Sequence, residues 1–210
     1  ASQVGVSGGV VSADRGRADK INIEILLDLS GSMKEGDRLE TAKAGINGYL
    51  DTIAGNENIN IAFRVFSTCD LDHNQLIADF APATGEQIAL LKEEVNTLTA
   101  EGDTGIGYAL NLAAQDFEGL KGSNEIILIT DGENKCGPDP CEVVATILEE
   151  RKIRIDVVTI ELDPKIEEKL SCIYELTGGA MVSLGQVENL GTALRDITEK
   201  VEKEDQSGGG

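Results

Sequence analysis

INIEILLD, running from Ile21 to Asp28, reads as a largely buried strand, and the residues that leave it, Leu29-Ser30-Gly31-Ser32-Met33, turn at once on a glycine. From Arg38 to Ile53 the period changes: Leu39, Ala42, Ile46, Tyr49 and Leu50 fall at helical spacing. The same handover recurs down the chain. INIAFRVF, from Ile59 to Phe66, alternates like a strand, and a short strand is expected from Leu76 to Phe80. Helices are expected from Glu86 to Leu98 and from Ile106 to Phe117, the second opened by a glycine-rich turn. EIILIT, from Glu125 to Thr130, is a central buried strand.

Pro140 to Arg151 reads as a helix with proline in its first turn, Arg154 to Ile160 as a strand, and Pro164 to Leu176 as a helix closed by Gly178 and Gly179. A last strand, Ala180 to Leu184, precedes a helix from Val187 to Lys203. Strands alternating with helices of this length predict an α/β fold: a Rossmann-like, doubly wound, mainly parallel sheet flanked by helices. One domain is expected over residues 21–203, with an extension or linker at 1–20 and a flexible tail at 204–210 that ends in a glycine run.

Composition agrees with that architecture. Of 210 residues 40% are hydrophobic, but only 3% are aromatic and none is Trp, so the core must be built from Ile, Leu, Val and Ala, as in buried parallel sheets. A formal net charge of -20 disfavours nucleic acid and anionic lipid as partners. No apolar run approaches the roughly 18 residues of a membrane span, so direct membrane insertion is not expected. The first residues lack the charged and apolar pattern of an export signal.

Doubly wound sheets bind ligands outside the carboxyl ends of their strands, and oxygen donors concentrate there. Asp28, Ser30 and Ser32 follow the first strand. Thr104, in Gly102-Asp103-Thr104-Gly105, follows a helix, and Asp131, in Thr130-Asp131-Gly132, follows the central strand. Two carboxylates and three hydroxyls, without imidazole or thiolate, suit a hard cation such as magnesium, manganese or calcium. Neutral hydroxyl ligands leave such an ion electron-poor and open to an anionic ligand.

In this order, Asp28-Leu29-Ser30-Gly31-Ser32-Met33, Thr104 in its glycine-flanked loop, and Thr130-Asp131-Gly132 resemble the metal-ion-dependent adhesion site of von Willebrand factor A domains. The resemblance covers about Ile21 to Lys200. It implies one divalent cation per chain, with Ser30 and Ser32 as direct ligands, Thr104 direct or through water, and Asp28 and Asp131 mainly through water. It also implies a position open to an acidic residue of a protein or extracellular matrix partner. Asp131-Gly132-Glu133, the stretch Cys136-Gly137-Pro138-Asp139-Pro140-Cys141, and Cys172 ahead of Thr177-Gly178-Gly179 look like bacterial members related to the calcium-activated chloride channel type. Thr104 departs from the family pattern, in which Pro or Asn commonly follows: here Asp103 precedes it and Gly105 follows. Asp103 is thus expected to modulate the site, tightening the metal and weakening capture of an acidic ligand.

Cys136 and Cys141 flank a proline-containing turn and are expected to pair, and Cys69 with Cys172 would then form the second pair. A structural zinc site competes poorly, since no CxxC spacing occurs and His73 is the only histidine. Paired cysteines imply an extracellular, cell-surface or periplasmic location. His73 lies in the polar stretch Cys69-Asp70-Leu71-Asp72-His73-Asn74 and reads as a loop residue. A Ser-His-Asp hydrolase would have to use this one histidine and is disfavoured, and there is no phosphate-binding glycine motif. Two alternatives stand beside the binding module: an intracellular scaffold of a chelatase-like, ATPase-linked assembly, and a magnesium-dependent phosphatase using Asp28 as nucleophile. The latter would want a second Asp where Ser30 stands. Specificity is expected in the loops Met33 to Asp37, Ser67 to Asn74 and Glu133 to Cys141.

Overall fold

The structure, a computed structural model, describes residues 20–69, 74–184 and 190–207. Six strands form one sheet: β1 (Ile21–Asp28), β2 (Asn56–Phe66), β3 (Asn74–Ala83), β4 (Ser123–Thr130), β5 (Arg154–Ile160) and β6 (Met181–Leu184). Their order across the sheet is β3-β2-β1-β4-β5-β6. Every pairing is parallel except β2 with β3, which is antiparallel and carries register shifts. The expected doubly wound α/β sheet is therefore present, with one antiparallel strand at its border. That strand is longer than its apolar centre suggests, because backbone pairing with β2 extends beyond the Leu76 to Phe80 stretch out to Asn74 and Ala83.

Seven α-helices cover the sheet among the described residues: α1 (Arg38–Ile53), α2 (Gly85–Thr97), α3 (Ile106–Asp116), α4 (Pro140–Glu150), α5 (Pro164–Lys169), α6 (Ser171–Thr177) and α7 (Leu190–Ser207). Alternation within the strands assigns the two faces. Ile21, Ile23, Ile25 and Leu27 of β1 join the core beneath α1, α2 and α7, while Leu26 joins the core beneath α3, α4 and α6. Each fully buried aliphatic side chain contributes about 2 kcal/mol, so this double layer is the main source of stability.

Local signals set the helix starts. The Asp139 carboxylate accepts from the Cys141 and Glu142 N–H groups ahead of Pro140, and Asp163 accepts from Lys165 N–H ahead of Pro164. The stretch expected as one helix from Pro164 to Leu176 is two. At Leu170 the turn tightens, its N–H bonding to the Glu167 carbonyl while its own carbonyl accepts from Ile173, and both apolar side chains are buried. Residues 204–207, expected in a flexible tail, are helical. Glu204 accepts from Arg154 at 2.8 Å and Asp205 from the Ser123 hydroxyl at 2.6 Å, and these contacts hold the end of α7 to the sheet.

Two charged clusters are buried against the sheet. On one face Arg64 Nε donates to Asp116 at 2.7 Å and lies 3.4 Å from Glu24. On the other, Arg154 Nε donates to Asp156 at 3.0 Å and lies 3.7 Å from Glu125. Burial pushes both Glu24 and Glu125 well above the usual carboxylate range.

Candidate functional site

The chain leaves β1 for β2 on one side of the sheet and later enters β4 on the other, so the ends of β1 and β4 lie side by side at the point where the winding reverses. A short 3₁₀ turn, Gly31–Lys34, follows β1 and tucks Met33 wholly into the core. That anchor fixes the loop between Asp28 and Ser32.

The carboxylate of Asp28 is fully buried and turns back onto its own loop. One oxygen accepts from Ser30 N–H at 2.8 Å, the other from the Thr130 hydroxyl at 2.6 Å. Burial pushes its pKa up to about 6, against the lowering effect of these two donors. The Ser30 and Ser32 hydroxyls are 3.1 Å apart, and Ser32 donates to Asp131 Oδ1 at 2.8 Å.

Thr104 arrives from the loop before α3. Gly31 N–H donates to the Gly102 carbonyl at 3.0 Å and Glu101 N–H to the Leu29 carbonyl at 2.7 Å, which lays this loop along the β1 loop. Gly102 has φ +98°, and a Cβ there would meet the Ser67 carbonyl oxygen at 2.0 Å, so only glycine fits. Thr104 is fully buried, and its hydroxyl oxygen has no hydrogen-bond partner among the described residues. A Cβ on Gly132 would stand 3.3 Å from that hydroxyl and 4.0 Å from the Ser32 hydroxyl, so Gly132 keeps the space between them open.

The structure thus brings together Asp28, Ser30, Ser32, Thr104 and Asp131. Asp103 sits exposed beside them, its N–H bonded to the Ser67 carbonyl. His73 lies outside the described residues. The donor set is all oxygen, and a buried hydroxyl without a partner is costly unless something completes it. On both counts the cluster can hold a hard divalent cation.

Arg38 was not legible as a site residue. Its NH1 donates to Asp131 Oδ2 at 2.9 Å and to the Ser32 carbonyl at 3.3 Å, and its Nε to Glu161 Oε2 at 3.0 Å. One signal exists in the sequence: a basic residue at the first position of a helix opposes the helix dipole, which points to acidic partners elsewhere.

The cysteines pair differently from the expected Cys136 with Cys141 and Cys69 with Cys172. The bridges are Cys69 to Cys136 and Cys141 to Cys172, with Cα separations of 5.5 and 5.6 Å. Asp139 caps α4 between Cys136 and Cys141, so Cys141 enters the helix and meets Cys172 on α6. Cys136 stays in the loop and meets Cys69, just after β2. Lys135 N–H also donates to the Thr104 carbonyl, so the Cys69 to Cys136 bridge joins the two loops that flank Thr104.

Residues 22–200 match the family model of the von Willebrand factor type A domain. The uncharacterized protein YwmC of Bacillus subtilis (strain 168) is 28% identical over 171 residues, covering 75% of this chain and 74% of its own length. The pilus adhesin SpaC from Lactobacillus rhamnosus GG superposes with a TM-score of 0.74 at 12% identity, over 90% of this chain and 31% of the adhesin. Proximal thread matrix protein 1 from the mussel byssus, with a zinc-occupied MIDAS motif, superposes with a TM-score of 0.67 at 18% identity, over 90% of this chain and 46% of that protein. The chain thus spans less than half of each of these two structures, and at such identities the likeness concerns the fold.

Proposed function

The chain belongs to the von Willebrand factor type A domain family, and from that premise we propose that it is an adhesion-type binding module, which holds one divalent cation in the cluster of Asp28, Ser30, Ser32, Thr104 and Asp131 and presents it to an acidic group on a protein or matrix partner. The observation that carries this reading is the Thr104 hydroxyl, buried without a partner and facing Ser32 across Gly132. When bound, the cation supplies a Lewis-acidic point that an anionic oxygen can complete. Ser30, Ser32 and Thr104 offer neutral oxygens, which leave that charge unquenched. Asp28 and Asp131 balance it while oriented by Thr130, Ser30 N–H and Ser32.

Magnesium, manganese and calcium match the all-oxygen set best. Zinc in the motif of the byssus protein supports a divalent ion at this place in the fold, as the pilus adhesin supports a surface role. Two disulfides favour an extracellular, cell-surface or periplasmic setting over a cytosolic ATPase-linked scaffold. A phosphatase using Asp28 is disfavoured, because its carboxylate is fully buried and Ser30 stands where a second Asp would be wanted.

Thermal unfolding tests the reading. A cation that binds only the folded chain adds about 2.7 kcal/mol at a hundredfold excess over its Kd, so Tm should rise with magnesium, manganese, calcium or zinc over EDTA. The double variant Ser30→Ala, Asp131→Ala should lose the rise. An equal rise in that variant would put the ion elsewhere. Capture of an acidic partner should likewise need the cation, fail in EDTA and fail with Asp28→Ala.

A further inference from the structure

Asp131 has no idle oxygen. Ser32 occupies one, and the Arg38 guanidinium occupies the other at 2.9 Å, with the Asp131 side chain fully buried beneath it. Arg38 is not there by default. Its charge sits at the first position of α1, the wrong end of the helix dipole, and the contacts that hold it come from outside that helix. Nε is gripped by Glu161, the residue just past β5, whose φ of +50° is the only positive value among described non-glycine residues. The Ser32 carbonyl takes a second hydrogen bond at 3.3 Å.

We infer that Arg38 is a built-in counter-cation of the site, neutralising Asp131 so that the site gives up divalent-cation affinity and gains positive potential toward an anionic partner. This rests on the cation reading proposed above. Counting only the groups buried at the site, Asp28 and Asp131 alone would reduce a divalent ion to zero net charge, whereas with Arg38 one positive charge remains. Glu161 and Glu35 also face Arg38, but their side chains are 43% and 72% exposed, so solvent screens them more than it screens the buried Asp131. A residual positive charge at one point is what a chain of net charge -20 needs to receive an acidic group.

The test is calorimetric titration of the whole chain with manganese alone, for wild type, Arg38→Gln, Arg38→Lys and the control Asp28→Asn. Arg38→Gln should bind manganese roughly tenfold more tightly, the size of one removed like charge beside a half-buried site. Arg38→Lys, which keeps the charge, should stay near wild type. Arg38→Met keeps the unbranched stem and takes the place of Arg38→Gln if that variant does not fold by circular dichroism. Unchanged or weaker binding in a folded, charge-removed variant, with wild type binding normally, would overturn the role of Arg38 and leave the cation site standing. If no folded form binds manganese, both fall. Binding by Arg38→Gln alone would support the inference most directly.

Discussion

The hydroxyl of Thr130, the last residue of β4, donates to the buried Asp28 carboxylate at the end of β1 across 2.6 Å and 102 residues of sequence. It is the side-chain bond that joins the two central strands at the site. Thr130→Val keeps the shape and removes the donor, leaving an acceptor oxygen buried without a partner. A loss of about 1–3 kcal/mol is expected, read as a lower Tm in EDTA. A variant as stable as wild type would mean that water replaces the hydroxyl.

Thr104 should behave in the opposite way. Its hydroxyl lacks a partner, so the isosteric change Thr104→Val removes a buried polar group that stabilises nothing in the cation-free chain. Stability in EDTA should stay level or rise by about 1 kcal/mol, while the magnesium-induced gain in Tm shrinks or disappears. Loss of stability in EDTA would show that the hydroxyl already has a partner in the cation-free fold.

Peptide mapping without reduction should recover Cys69 joined to Cys136 and Cys141 joined to Cys172. The first bridge closes 67 residues, so in the chain-entropy account the double change Cys69→Ser, Cys136→Ser costs about 4 kcal/mol. Because that bridge joins the loops on either side of Thr104, cation affinity should fall as well. A Cys141→Ser, Cys172→Ser variant should lose stability with a smaller effect on the cation. Equal effects on the cation from both pairs would remove the special role of the Cys69 bridge.

Glu24 and Glu125 set a pH dependence away from the site. Burial raises both above the ordinary value of 4.5, so between that value and their folded-state values the folded chain holds protons the unfolded chain has released. Stability from these groups is therefore complete at or below the unfolded value and is lost as pH rises through the window, at up to about 1.4 kcal/mol per pH unit for each group. Glu125→Gln, which stays neutral and can donate toward Asp156, should flatten the slope and raise Tm at pH 8. A steeper slope, or a lower Tm at pH 8, would show that Glu125 works as a carboxylate paired with Arg154.

The central strands were legible because burial on both faces turns INIEILLD and EIILIT into apolar runs that few other environments tolerate. The gathering of Asp28, Ser30, Ser32, Thr104 and Asp131 was legible for a related reason: ligand loops of a parallel sheet all leave from one end. Less could be read where the answer depends on spatial neighbours. Asp139-Pro140 marks a helix start, but nothing in the local sequence records that Cys141, entering that helix, meets Cys172. The break at Leu170 leaves the apolar period unchanged, since a tightened turn still points Leu170 and Ile173 inward. Arg38 offers only its place at the wrong end of a helix dipole until Glu161 and Asp131, more than 90 positions away, are brought to it.

The border strands of the sheet bear on how many copies can share a surface. β6 has four residues among those described, and β3 carries Pro82 and register shifts along its pairing with β2. Short, kinked or proline-bearing edges are poor templates for another chain's backbone. Chains of this kind can be crowded side by side, sites outward, without their sheets fusing into a continuous ribbon.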